Sequence, residues 1–226
     1  MSREGILHSA SADSGEAGGL RFFGAITASV SHELNNVLTI IDQVGGLLQD
    51  ILGAAQAGAP IRTEQLKTIQ ERVLRQTQRG VEIIRDLNRF AHGVDDTFMK
   101  FDLDTVVGNL AKLAQRPFDL GKARLVFNPS GNEISVSASP FRLQQVIFQC
   151  LRAFLDHGIP GKEVALSVAS EGSWGCVEIS GPNLPTQTDW STRMGGVPVL
   201  PEPSAWVADA VSGPEQTVIR LRLPAR

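Results

Sequence analysis

The chain has 226 residues, enough for one large domain or two small ones with a proper core. Its net charge is −3 and it carries no long basic run, which excludes the electrostatic footprint of a protein for nucleic acid or an anionic membrane. No uninterrupted apolar stretch reaches the roughly 20 residues of a bilayer span, and the N-terminus reads as neither a secretory signal nor a transit peptide, so a cytoplasmic protein is expected.

Residues 1–18 are rich in Ser, Gly, Ala and Glu without periodicity and are expected to form a disordered tail. From Phe23 an apolar stripe begins and runs through Ile26, Val30, Leu34, Val37, Ile41, Val44, Leu48 and Ile51 at spacings of three and four, the period of a long coiled-coil-like helix. Gly53 to Pro60 is small, flexible and ends in proline, which stops that helix and turns the chain. Thr63, Glu64 and Gln65 can open a second helix, whose apolar positions Leu66, Ile69, Val73, Val81, Ile84 and Leu87 lead to Ala91 before His92-Gly93 closes it. A helical hairpin with so wide an apolar stripe cannot bury it alone, and pairing two copies into a dimeric four-helix bundle is the expected solution.

Beyond Asp95 the texture becomes mixed. A helix is expected over 103–113, strands over 124–128 and 134–136, and an amphipathic helix over 141–157. Strands over 163–170 and 176–180 flank Glu171-Gly172-Ser173-Trp174-Gly175, a hairpin signal. Residues 190–203 read as loop, 204–211 as a short helix and 217–223 as a last strand. The fold class is therefore α+β: a helical hairpin over 19–94 followed by an α/β sandwich over 95–226. Cys150 and Cys176 sit in apolar surroundings without metal-ligand spacing and read as buried free thiols.

The chemistry concentrates in Ser29-Val30-Ser31-His32-Glu33-Leu34-Asn35-Asn36-Val37-Leu38. At about 100° per residue, Ser29, His32, Asn36, Thr39 and Gln43 fall within about 80° of one another, away from Val30 and Leu34. His32 is thus expected on a solvent-facing polar stripe. A neutral imidazole is a good nucleophile toward phosphorus, and an adjacent carboxylate can hold its tautomer and take a proton.

This stretch resembles the phosphoacceptor box of the dimerisation domain of two-component histidine kinases, whose pattern is His-Glu-Leu-x-Asn/Thr-Pro-Leu; Val37 stands where the family has proline. The resemblance implies His32 as phosphoacceptor, Glu33 as its base or orienter, and Asn36 in a possible phosphatase role. The later element order resembles the GHKL-type ATP-binding domain of the same family. Residues 139–154 follow its Asp-Pro-x-Arg-Leu-x-Gln-Val-Leu-x-Asn-Leu-x-x-Asn-Ala helix at Pro140, Arg142, Leu143, Gln145 and Val146. Gln149 and Ala153, however, replace the two asparagines that hold Mg²⁺ and phosphate. Ile179 replaces the aspartate of Asp-x-Gly-x-Gly and Asn183 its second glycine, and Gly195-Gly196 is the only echo of the later glycine loop.

A degenerate sandwich on an intact phosphoacceptor hairpin implies a histidine phosphotransfer protein of a phosphorelay. It would carry phosphate on His32 between response-regulator receiver aspartates, with no cofactor or metal of its own and Mg²⁺ in the partner receiver. The expected partners are receiver domains, a second copy of the chain and possibly a partner histidine kinase. A divergent ATP-dependent sensor kinase and a non-catalytic pseudokinase scaffold are the alternatives. Arg72, Arg75 and Arg79 recur at three- and four-residue spacing on the second helix, either as a solvated face or as cations that steer an acidic receiver toward His32.

Overall fold

Two long helices, α1 (Arg3–Gln56) and α2 (Thr63–Asp95), open the chain. The computed structural model describes residues 3–95, 98–157, 161–184, 207–212 and 216–225. The turn between the helices follows from glycine chemistry. Gly58 takes φ +94°, its N–H donates to the Ala55 carbonyl at 3.0 Å, and the Ala59 N–H reaches back to Ala54 at 3.0 Å. That pair of bonds satisfies the carbonyls left open at the end of α1 and releases the chain into Pro60.

The start of α1 differs from expectation. The helix begins at Arg3 and takes in most of the segment read as a tail, since residues 3–18 hold no proline to interrupt it and extending an existing helix fixes only one residue per bond. Similarly, α2 continues through His92-Gly93 to Asp95. By length and composition alone, Gly18–Gln56 of α1 also passes as a membrane span, with mean hydropathy 1.3, where no such stretch was expected. His32, Asn35, Asn36 and Gln43 keep one side of that helix polar and exposed, the mark of an amphipathic helix.

The chain divides into two compact units. The first, Thr27–Asn88, is the hairpin. Its seam is narrower than the sequence pattern. Val30, Val37 and Val44 of α1 are buried at intervals of seven, with Ile69, Gly80 and Ile83 from α2. A β-carbon placed on Gly80 would stand 3.4 Å from Val37 Cγ1, so α2 approaches α1 closely at that level. Leu34, Ile41 and Leu48 are half-buried on one shoulder of this seam. Leu38, Leu66, Leu74, Val81 and Ile84 are exposed, although Leu66, Val81 and Ile84 were expected in the seam. The single stripe of the sequence is two adjacent ones, an inner seam and an apolar face.

The second unit is Met1–Ile26 with Arg89–Arg226. It contains β1 (Met99–Asp102), α3 (Leu103–Leu113), α4 (Gln115–Leu120), β2 (Arg124–Asn128), β3 (Ser135–Ala138), α5 (Pro140–His157), β4 (Glu163–Glu171), β5 (Trp174–Pro182), β6 (Val207–Ser212) and β7 (Gln216–Pro224). A five-stranded sheet runs in the order β2-β4-β5-β7-β6, parallel only between β2 and β4; β1 and β3 form a separate antiparallel pair. β7 alternates buried Thr217, Ile219, Leu221 and Leu223 with outward residues, so one sheet face meets Leu143, Ile147, Leu151 and Phe154 of α5 in the core.

β1 and α4 were not expected, and β6 stands where a short helix was read. Its ladder to β7 overrides weak helix propensity, because edge pairing satisfies every other backbone group. The expected loop at 190–203 and Gly195-Gly196 lie outside the described residues.

Phenylalanines tie the helix ends into this unit. Phe22 of α1 lies 5.3 Å from Phe90 of α2 edge-on, 5.3 Å from Phe141 and 5.1 Å from Phe148, both on α5, measured between ring centroids. Phe90 and Phe22 are buried. Removing a fully buried ring leaves a cavity as well as losing its transfer free energy. Phe90→Ala is therefore expected to destabilise the protein by about 3–5 kcal/mol, read as a lower urea midpoint, and Phe90→Leu by less than half of that.

Candidate functional site

The seam sets where each polar residue of α1 points. Counting about 100° per residue, His32 lies roughly 140° and Asn36 roughly 100° round the cylinder from the Val30–Val37–Val44 line. Both side chains are exposed. Glu33, about 40° from that line by the same count, is half-buried. Ser29, expected on the polar stripe, is instead buried at its edge next to the seam. Thr39 spends its hydroxyl on the Asn35 carbonyl at 2.8 Å.

His32 and Asn36 are neighbours one turn apart, with β-carbons about 5–6 Å apart in such a pair. Glu33 is not placed against the ring, because consecutive helical residues diverge. Among the described residues no hydrogen bond or ion pair reaches the side chain of His32, Glu33 or Asn36. Two openings, of about 450 and 380 Å³, lie at the hairpin turn beside Ile51 and Pro60 and beside Phe101 and Gln144; neither is lined by His32. The imidazole of His32 stands exposed on the surface of α1.

The two thiols are withdrawn. Cys150 and Cys176 are free and buried. Burial pushes the Cys150 thiol up to about 12; burial, then the Glu171 side chain, pushes Cys176 up to about 11. Neither supplies thiolate at neutral pH.

The second group of candidate positions lies in the sandwich. Ala153 and Ile179 are fully buried, and Ile179 sits mid-strand opposite Ile219 and Leu166. Gln149 is half-buried, with an Oε1 that has no hydrogen-bond partner among the described residues. Asn183 accepts a bond from Thr217 Oγ1 at 3.3 Å, while the same oxygen accepts the Leu184 N–H at 2.9 Å; Asn183 therefore belongs to the finish of β5.

One residue missed by sequence reasoning decides the shape here. A β-carbon on Gly181 would come within 2.8 Å of Phe154 Cδ1, so the ring presses on the strand where the family pattern has its first glycine. Phe154 stands where that pattern has alanine, and this was the available signal. Of these positions Ala153 and Ile179 carry no polar group, Gln149 and Asn183 carry amides, and the buried Phe154 ring fills space beside Gly181. Among the described residues no cluster of three His, Cys, Asp or Glu could hold a metal ion.

No protein-family model and no curated protein sequence matches the chain. It is similar to solved histidine kinase structures. One is the Acinetobacter baumannii histidine kinase AdeS, at 16% identity over 85% of this chain and 97% of that chain, with a TM-score of 0.46. A nucleotide-free catalytic domain of histidine kinase ThkA is similar at 11% identity over 56% of this chain and 95% of that one, TM-score 0.49. ThkA in complex with the response regulator protein TrrA is similar at 14% identity over 92% and 63% of the respective chains, TM-score 0.45.

The Phe154–Gly181 contact is open to direct measurement. Gly181→Ala is expected to cost about 1–3 kcal/mol of unfolding free energy through overpacking, and the penalty should shrink when Phe154 is simultaneously replaced by Leu. Equal penalties in both backgrounds would show that the ring does not press on the strand.

Proposed function

We propose that the chain is a histidine phosphotransfer protein of a two-component phosphorelay. In this reading it is a cytoplasmic homodimer that carries a phosphoryl group on His32 between response-regulator receiver aspartates, without binding ATP. The observation that carries the reading is the exposure of His32 on the polar side of α1, within the Ser29–Leu38 motif, where an accessible imidazole can act as a nucleophile.

The reaction needs little from this chain beyond position. A neutral imidazole nitrogen attacks the phosphorus of an aspartyl phosphate. The N–P bond forms as the P–O bond to the aspartate breaks, and the carboxylate leaves with its electron pair. A second receiver aspartate attacks phosphohistidine in the reverse sense. Mg²⁺ held by the receiver neutralises charge on the transferring group, and docking supplies the effective concentration. Glu33 is the adjacent carboxylate available to take the proton from the other ring nitrogen once a partner orders it. Asn36, beside His32 on the exposed face, is suited to orient water for release of phosphate from a receiver.

Two further observations support parts of the reading. Leu38 at 61% exposure and Leu74 at 53%, with Val81 and Ile84, make an apolar face on the hairpin away from His32, which suits burial against a second copy. Ala153, Ile179 and the Phe154 ring argue against purine triphosphate binding.

Labelled phosphate is expected to move from a phosphorylated receiver to the wild-type protein, and His32→Gln to abolish labelling. Undiminished labelling of that variant would refute the assignment, and self-labelling from ATP would instead favour a kinase. Val81→Glu with Ile84→Glu is expected to halve the sedimentation-equilibrium mass.

A further inference from the structure

Arg72, Arg75 and Arg79 were read from the sequence as a solvated face or a steering patch. The hairpin geometry distinguishes the two. Measured from the seam in one rotational sense at about 100° per residue, Arg72, Arg79 and Arg75 lie roughly 60°, 80° and 120° round α2, and Asn36, Gln43 and His32 roughly 100°, 120° and 140° round α1. Because the helices run antiparallel, rotations of the same sign from a shared seam reach the same face. The three arginines therefore flank the face that carries His32. The apolar residues Leu38, Leu74, Val81 and Ile84 are reached in the opposite sense and lie on the other face.

Height along the hairpin can be fixed as well. Val37 stands level with Gly80. With a rise of about 1.5 Å per residue, Arg79, Arg75 and Arg72 sit roughly 9, 15 and 20 Å from the level of His32 toward the turn. That is the footprint of one small domain with His32 near its edge. All three side chains are exposed, and among the described residues none makes an ion pair. The nearest carboxylates of the same helix, Glu71 and Glu82, lie further round toward the side away from α1. Exposed Leu47 adds an apolar contact on the same face between the arginines and the turn.

We infer that Arg72, Arg75 and Arg79 are positioning residues for an acidic partner surface, seated on this face with its phosphorylated carboxylate over His32. The inference rests on the phosphotransfer reading. A protein that keeps phosphate on an aspartate beside Mg²⁺ must gather several carboxylates there, because the metal takes hard oxygen ligands. Such a surface is negative, and phosphorylation makes it more so. Cations spaced along the docking face raise the encounter rate and fix the approach, and the effect falls with salt since charges are screened beyond about 8 Å at physiological ionic strength.

The test compares wild type with Arg72→Gln/Arg75→Gln/Arg79→Gln, using a phosphorylated receiver that labels the wild type, at 50 and 300 mM salt. At low salt the triple variant should label about tenfold more slowly under subsaturating receiver, with a shallower salt dependence and an unchanged rate at saturation. Circular dichroism and sedimentation should match wild type. The triple Lys variant should retain most of the rate. Wild-type kinetics with an unaltered salt slope in the Gln variant overturn the inference while leaving the relay intact. Loss in the Lys variant as deep as in the Gln variant overturns the electrostatic basis. If no receiver labels the wild type, the phosphotransfer reading fails first and the inference falls with it.

Discussion

The close approach of α2 to α1 at Gly80 and Val37 is the constraint from which the site follows. Gly80 has no side chain to hold the helices apart, so the valines at intervals of seven can face α2 and be buried. That fixes the rotational phase of α1. Once the phase is set, His32 and Asn36 must stand outside the seam and Glu33 must sit at its edge, because a helix turns by about 100° per residue and offers no other freedom. Reactivity here is a consequence of packing that contains no reactive group.

The same packing sorts the hairpin surface into two faces of different character. One is apolar and costs free energy while exposed to water; the other is polar, cationic and carries the imidazole. The two faces draw on different side chains, so each can meet its own surroundings without competing with the other.

The α/β unit is built on continuous hydrophobic layers. Ile179 and Ala153 are well packed, and Phe154 fills space against Gly181. Apolar side chains at buried positions need no hydrogen-bond partners, so this core avoids the cost of unsatisfied polar groups there. The phenylalanine cluster around Phe22, Phe90, Phe141 and Phe148 extends that core along the ends of α1 and α2. Its members are scattered over 126 positions of the sequence (148 minus 22), and no local pattern announces them.

By itself the sequence determined the main run of both long helices, a turn within Gly53 to Pro60 and the larger strands, because helical period, glycine backbone freedom and strand alternation are local properties. It did not determine which part of the apolar stripe is seam and which is open face, since both have the same period and differ only in what lies opposite. It misread 207–211, where strand pairing with β7 outweighs local preference, and it missed β1, whose partner β3 lies more than thirty residues further on. Only the tertiary structure decided that the arginines of α2 share a face with His32 and that Phe154 meets Gly181. Both are distances between residues far apart in the chain, and such distances exist only once the seam and the sheet have closed.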